Sequence, residues 1–176
     1  MKRASERGFT LIEIMIVVAI IALLAAIAIP NVLRGRTSAN EAAGIGNLRS
    51  LVSALEMYRS VHNYYPDTTT GWLASMYGAN CNAGTTPDPD FGPPSFCVAL
   101  DGGVASQIQG YAYTYTGGAA ANASTYTLTA NPVTLGRTGT RAFFVNEAGT
   151  IRHCQGASGA TAASVSLDQS PNATCP

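Results

Sequence analysis

The sequence predicts an α+β fold in which one long N-terminal helix packs against a C-terminal antiparallel sheet. Three patterns support this fold class. The first is an apolar block over residues 9–29, and the second is a helical period that follows it to about Ser60. The third is a period of two that begins near Ile108. A helix with one apolar stripe needs a partner, and the face of a sheet can cover it.

Composition and charge exclude a nucleic-acid surface. The chain has 176 residues, enough for one globular domain and an additional segment. Its ten acidic and ten basic residues cancel, and only 11% of the residues are charged. Phosphate binding needs clustered Lys and Arg, which this sequence lacks.

The apolar block has the length of a membrane span. Residues 1–7 carry three basic side chains and one acid, and basic residues before an apolar run stay cytoplasmic. Residues 9–29 would form a helix about 30 Å long, the thickness of a bilayer's hydrocarbon core. Residues 14–29 contain no polar side chain, so we expect lipid or similar helices on all sides.

Glu13 interrupts this apolar pattern. An acid deep within a spanning helix costs about 2.5 to 3.5 kcal/mol on insertion scales. From a shallow position its carboxylate could extend to the cytoplasmic interface with no further role. The alternative is that the acid has a function, and the neighbouring residues favour this alternative.

The string RGFTLIEIMIVVAIIALLAAIAIP resembles the class III signal of type IV prepilins and type II secretion pseudopilins. This resemblance implies that an inner-membrane prepilin peptidase and methyltransferase cuts after Gly8 and methylates the new N-terminus at Phe9. It also implies an assembly role for Glu13 and a helix-perturbing role for Pro30. The match is tight over about the first quarter of the chain.

The spacing of cleavage site and acid has a physical reason. Cleavage after Gly8 would create an α-amino group at Phe9, about one helical turn from Glu13. In the family, the glutamate is thought to pair with the amine of a neighbouring subunit. At contact distance and an effective dielectric near 20, such a pair gains roughly 4 kcal/mol before desolvation is subtracted. Pairing therefore favours correct register more than it favours stability.

Pro30 separates the apolar helix from an amphipathic one, residues 31–62. A kink or a locally melted turn is expected near Ala26, because proline cannot donate its amide. Apolar residues then recur every three or four positions, at Ile45, Leu48, Val52 and Leu55. Gly44 and Gly46 indicate either close packing or flexibility. Most of the charged residues are predicted to be solvated: Arg34, Arg36, Glu41, Arg49, Glu56 and Arg59.

Residues 63–107 are predicted to be rich in loops, because helical periodicity stops near His62 and Gly, Pro, Asn and Asp follow. One short helical turn is expected from Trp72 to Tyr77, with Trp72 packing under the loop. The placement resembles the variable segment of pilins and pseudopilins.

Residues 108–176 are predicted to form the sheet and a C-terminal tail. Alternation puts Tyr111, Tyr113 and Tyr115 on one face, which we interpret as a packed or interfacial face and not as an electron path. Residues 125–130, 141–146 and 150–154 are predicted to be further strands. Residues 146–149 suit a hairpin turn, since Asn and Gly tolerate positive φ.

The four cysteines predict two disulfides, since an even count suits a domain outside the cytoplasm. Three connectivities are open, and we favour Cys81 with Cys97 and Cys154 with Cys175. The second pair would resemble the C-terminal disulfide loop of many pilins. A metal site is disfavoured, because no two cysteines stand two to four residues apart.

Other candidate sites are weak. His62 and His153 belong to no ligand or triad pattern, so structural or surface roles are predicted. Asp88, Asp90 and Asp101 do not have the spacing of a trusted calcium site. Asn122 and Asn172 begin glycosylation triplets that are common by chance. We predict no catalytic residue, no metal and no cofactor.

The resemblance implies a structural filament subunit, not an enzyme. It would be an inner-membrane precursor with a leader, residues 1–8, and a filament-core helix, residues 9–30. An inner-membrane assembly platform would then polymerise it with its own copies. The predicted disulfides and loops favour an extracellular type IV pilus that supports adhesion or motility. The alternative is a major pseudopilin of a periplasmic type II secretion filament.

Two interpretations without polymerisation stay open. Ala26-Ile27-Ala28 has the form of an ordinary signal-peptide cleavage site, which would release a secreted binding domain beginning at Ile29. Against this, the apolar core is long for such a signal, and Glu13 would be unusual in it. A membrane-tethered domain that never polymerises is the other interpretation.

Overall fold

The computed structural model describes residues 9–66, 72–77, 91–92, 96, 107–118, 123–161, 163–171 and 174–175. The helices are α1, Leu11–His62, and α2, Trp72–Tyr77. The strands are β1, Gln107–Ile108; β2, Tyr111–Gly117; β3, Tyr126–Pro132; β4, Arg141–Asn146; β5, Arg152–Gln155; and β6, Val165–Ser166. The chain divides into two compact units, Met1–Arg36 and Thr37–Pro176.

In the first unit the described residues form the N-terminal part of α1 after Phe9 and Thr10. The helix is uninterrupted from Leu11 to His62 and includes Pro30. The locally melted turn predicted near Ala26 is therefore absent. Proline removes a single amide donor, and the Leu, Ala and Ile residues before it are compatible with a helix, so the other hydrogen bonds persist. A bend at Pro30 stays a prediction.

In the second unit the described strands form one antiparallel sheet in the order β1-β2-β3-β4-β5-β6. Every strand pairs with its neighbour in sequence, which makes the sheet a meander. The predicted turn after β4 is confirmed: the amide of Gly149 donates to the carbonyl of Asn146 at 2.9 Å, and Gly149 has φ 71°. Together with α1, this sheet confirms the predicted α+β class.

The core of the second unit lies between the sheet and residues 37–62 of α1. The predicted stripe is present but rotated by about one position: Leu48, Leu51 and Leu55 are fully buried, whereas Ile45 and Val52 are half-buried. The predicted tyrosine face is buried as well, at 0% to 6% exposure for Tyr111, Tyr113 and Tyr115. This burial explains the alternation seen in β2.

Two boundaries fix the ends of this core. Helix α1 ends at His62 as predicted, and Asn63 follows with φ 63°, a left-handed conformation that Asn tolerates. At the other end of the chain, Cys154 and Cys175 form a disulfide across 21 positions of sequence. Cys81 and Cys97 lie outside the described residues, so their pairing stays a prediction. The short helical turn predicted from Trp72 to Tyr77 is present as α2. The packing of Trp72 under the loop stays a prediction, because its side chain lies outside the described part of the chain.

Candidate functional site

The predicted functional segment starts where the described residues start. Gly8 and the rest of the leader lie outside them, whereas Phe9 and Glu13 lie inside. Phe9 precedes the helix with 79% of its surface exposed, and Glu13 is exposed in the first turn of α1.

Thr10 caps the start of α1. The amide of Glu13 donates to the Thr10 hydroxyl at 3.3 Å and to its carbonyl at 3.2 Å. A hydroxyl at this position satisfies an amide that has no partner inside the helix. We did not single out Thr10 from the sequence, although the spacing Thr-x-x-Glu is a helix-start signature that indicates it.

Glu13 occupies a favourable place for a negative charge. The positive end of the helix dipole stabilises an acid in the first turn. Glu13 is also the sole charged side chain in residues 9–33. Its carboxylate is therefore the one fixed charge available to bind an amine along this part of the helix.

The surface around Glu13 is apolar along the whole segment. The large apolar side chains from Phe9 to Leu33 are 47% to 79% exposed. By length and composition, α1 contains a stretch that could cross a bilayer. Water would be a poor solvent for such a surface, so it requires lipid or other apolar helices around it.

A second acid of α1, Glu41, is buried in the other unit. One carboxylate oxygen accepts from the amide and the hydroxyl of Thr140, each at 2.7 Å. The other accepts from Nε of Arg141 at 2.8 Å and lies 2.8 Å from its Nη2. The prediction of a solvated face is thus wrong for Glu41, which is 7% exposed.

These contacts lower the pKa of Glu41. Burial opposes the charge and alone would raise the pKa, but the two hydrogen bonds from Thr140 and the guanidinium of Arg141 outweigh it. The acid is therefore held as a carboxylate that fastens α1 to β4 and to the connection before it.

The contacts continue from Arg141 to the C-terminal tail. Nη1 of Arg141 lies 3.0 Å from Nδ1 of His153, whose Nε2 lies 3.0 Å from the carbonyl of Gln169. A guanidinium only donates, so Nδ1 accepts and Nε2 carries the proton that is donated to Gln169. His153 therefore has a structural role, joining β4 to the tail that the Cys154–Cys175 disulfide also holds.

Residues 3–29 match the model of the prokaryotic N-terminal methylation motif. The matched range includes Gly8, Phe9 and Glu13. This motif supports the family of type IV pilins and type II secretion pseudopilins. The motif and the apolar helix α1 fit an inner-membrane precursor that later assembles into a pilus or pseudopilus.

Relatives from both branches of the pilin and pseudopilin family are similar to this chain. The type II secretion system core protein G of Klebsiella michiganensis is 39% identical over 74 residues, 42% of this chain and 52% of that protein. The protein of the same name from Escherichia coli is 38% identical over 66 residues, 38% of this chain and 46% of the relative. The type IV major pilin protein PilA of Myxococcus xanthus is 36% identical over 111 residues, 54% of this chain and 50% of the relative.

These similarities cover part of each protein. The chain spans about half the length of the curated relatives it matches. No solved structure matches it significantly.

The residues predicted to act in pilin assembly all lie in the described part of the chain, whereas Gly8 of the cleavage site does not. Phe9, Glu13 and Pro30 lie on or next to α1 in the first unit, and nothing in the structure tests their roles. The loop aspartates, Asp88, Asp90 and Asp101, lie outside the described residues, as do Asn122 and Asn172. Within the described residues, no group of three or more His, Cys, Asp or Glu side chains is arranged to hold a metal ion.

Proposed function

We propose that the chain is a structural subunit of a filament of the type II secretion pseudopilus class, assembled through the N-terminal part of α1. The observation that carries this proposal is a prepilin methylation motif whose helical part, residues 11–29, exposes its large apolar side chains and has one acid, Glu13. Such a surface suits a segment that moves from lipid to a bundle of similar helices.

The proposed assembly begins with processing. A prepilin peptidase and methyltransferase removes residues 1–8 and methylates the amine of Phe9. The carboxylate of Glu13 on an incoming subunit then pairs with the amine of its neighbour at an inner-membrane assembly platform. Because lipid and the helix bundle are both apolar, residues 14–29 change surroundings without exposure to water.

The choice between pseudopilus and pilus rests on the relatives. The sequence argument favoured a pilus because of the predicted disulfides and loops. Most of the relatives are named type II secretion system core protein G, which supports the pseudopilus. A type IV pilus is the second candidate, since the similarity to the Myxococcus pilin extends over 111 residues, 54% of this chain.

No enzymatic activity is part of this proposal. The family consists of structural subunits, and we propose the same for this chain. Its partners are other copies of itself, the processing enzyme and the assembly platform. A Cys81–Cys97 disulfide in the exterior loop completes the proposal.

The test is replacement of Glu13 in cells that form the filament. We expect Glu13→Ala to leave membrane insertion intact and to reduce filament yield at least tenfold, because the amine of the neighbour loses its counter-charge. Glu147→Ala, which removes an exposed acid at the β4–β5 turn, is the matched control and should not change the yield. Equal yields from the two variants would contradict the mechanism.

Two further measurements separate the alternatives. N-terminal mass spectrometry should find N-methylated Phe9, whereas a terminus at Ile29 would support ordinary secretion. Deletion of the gene should abolish release of exoproteins if the filament is a pseudopilus. Loss of surface filaments with normal exoprotein release would support the pilus instead.

A further inference from the structure

The second unit has two exposed pairs of large apolar side chains among its described residues. Met57 and Val61 are on α1, and Val133 and Leu135 are on the β3–β4 connection, residues 133–140. Each of the four side chains is 41% to 57% exposed. Single apolar residues are common on protein surfaces, so the surroundings of each pair decide whether it needs a partner.

Hydrogen bonds give the β3–β4 connection a defined conformation. The carbonyl of Thr134 accepts from the amide of Thr138 at 2.9 Å, and the amide of Thr134 donates to the Thr138 hydroxyl at 3.0 Å. The amide of Gly136 donates to the carbonyl of Gly139 at 2.8 Å. The apolar pair is therefore presented by an ordered turn, and little conformational entropy is lost when it binds a partner.

The connection lies at the end of the second unit where the chain enters it. The unit begins at Thr37, and α1 contacts the connection shortly after this start. Nδ2 of Asn40 donates to the carbonyl of Thr138 at 3.0 Å, and the carboxylate of Glu41 accepts from the amide of Thr140 at 2.7 Å. In the proposed function the chain arrives at this end of the unit from the bilayer.

Arg137 adds a positive charge to the β3–β4 connection. Its side chain is exposed and has no hydrogen bond or ion pair with any described residue. The connection contains no acid, and the exposed acids described in this unit belong to other elements: Glu56, Glu147 and Asp168. A free guanidinium beside two apolar side chains is suited to a surface that is apolar within and anionic at its boundary.

We propose that the β3–β4 connection docks on the outer surface of the inner membrane, with Val133 and Leu135 at the acyl chains and Arg137 on the phosphate of an anionic lipid. A guanidinium donates paired hydrogen bonds to phosphate oxygens, and its apolar stem can lie along the acyl chains. The inference rests on the proposed function for the orientation of the unit. It adds a lipid contact that holds the exterior unit before assembly.

A second copy of the chain is the competing occupant. The other apolar pair, Met57 and Val61, lies one helical turn apart on α1 and could meet the connection in a head-to-tail contact. The charges beside that pair, Glu56 and Arg59, are 4.0 Å apart and neutralise each other. They offer Arg137 no net charge, whereas a lipid surface offers an anion and an apolar layer together.

Tryptophan fluorescence of the full chain in bilayers tests the proposal. Leu135→Trp and the control Met57→Trp each add one indole at an exposed apolar position, and Trp72 is common to both variants and to the wild type. The bilayers contain phosphatidylcholine and phosphatidylglycerol with brominated acyl chains. The emission added by Leu135→Trp should fall by about half or more, because interfacial side chains reach roughly 5 to 10 Å into the boundary of the acyl region. The emission added by Met57→Trp should not change.

The role of Arg137 is tested with bromine on one lipid at a time. Brominated phosphatidylglycerol should quench Leu135→Trp more than brominated phosphatidylcholine does. Adding Arg137→Gln should reduce this preference by about fivefold, since one basic residue near an anionic surface contributes about that factor. Arg49→Gln removes an exposed arginine of α1 and should leave the preference unchanged.

The outcomes are distinguishable. Equal quenching of Leu135→Trp and Met57→Trp would overturn the docking, and Val133→Trp repeats the measurement from a second position on the connection. Emission that ignores the brominated lipid but shifts with the number of chains per vesicle would also overturn it, in favour of a second copy. Resistance to alkaline extraction is measured on the same vesicles: if the wild type is not inserted, the proposed function itself fails.

Discussion

Two acids on one helix show how surroundings decide the role of a residue. Glu13 is exposed among apolar side chains, whereas Glu41 is buried among donors. A different interaction stabilises the negative charge of each acid. The positive end of the helix dipole stabilises Glu13. Hydrogen bonds from Thr140 and Arg141 stabilise Glu41. The sequence pattern identifies the first because a charge in an apolar block is conspicuous. It does not identify the second, which looks like any charge on an amphipathic helix.

Replacement of Glu41 is expected to destabilise the protein. Glu41→Ala removes the acceptor for Thr140 and leaves the half-buried guanidinium of Arg141 without its carboxylate. We expect a loss of about 2 to 3 kcal/mol in the free energy of unfolding. The measurement is denaturant unfolding of the full chain in detergent. Glu147→Ala should change stability by less than about 0.5 kcal/mol, and a similar loss in both would refute the assignment.

The same carboxylate predicts a pH dependence. The pKa of Glu41 is lower in the folded protein than its ordinary value of 4.5. Its contribution is therefore fully present above pH 4.5 and is lost as the pH falls through the lower folded pKa. The melting temperature of the wild type should fall more steeply below that pH than the melting temperature of Glu41→Gln. Parallel curves for the two proteins would be inconsistent with this linkage.

At the scale of elements, periodicity predicted the helix, an antiparallel sheet and the tyrosine face, but not the order of the strands. It could not give the rotation of the α1 stripe. On the rotated face Tyr111 packs over Gly44, and its ring lies 3.5 Å from the position that a Cβ on Gly44 would occupy. A large ring over a glycine is a tertiary contact, and the spacing of apolar residues along α1 contains no information about it.

Gly44 and Gly46 of α1 have different surroundings, and one substitution at each position can distinguish them. Nothing lies within 4 Å of a Cβ built on Gly46, whereas Gly44 is covered by Tyr111. Gly46→Ala should raise the free energy of unfolding by about 0.5 to 1 kcal/mol through helix propensity. Gly44→Leu should lower it by about 1 to 3 kcal/mol through overpacking. Thermal unfolding of both variants checks this, and stabilisation by Gly44→Leu would show that the ring does not restrict the site.

The disulfide between β5 and the tail should account for a measurable part of stability. It closes a loop across 21 positions, for which the chain-entropy model gives about 3 kcal/mol. Cys154→Ser with Cys175→Ser should therefore reduce the unfolding free energy by about 2 to 4 kcal/mol. Amide exchange should increase most in residues 163–171. Uniform exchange across the sheet would mean that the tail is held by the hydrogen bonds from His153 to Gln169 and from Arg152 to the carbonyl of Ser164.

For the whole molecule, the sequence predicted the class of fold and the N-terminal segment with little structural input. The features of that segment depend on residues that are close in sequence: the length of the apolar run, the helix cap and the one charged side chain. The contacts from Glu41 through Arg141 to His153 and Gln169 were not predicted, because they join residues that are distant in sequence. The choice between pilus and pseudopilus was beyond the sequence pattern, since both branches use the same N-terminal chemistry.

The order of the strands has a consequence for how the exterior domain matures. In a meander each hairpin closes over a short stretch, so the sheet can form progressively while the polypeptide emerges on the far side of the membrane. The bond from Thr140 to Glu41 is different, since it joins positions 99 apart. Helix and sheet thus lock together late in translocation, and a subunit stalled before that point would be a natural target for proteolytic quality control.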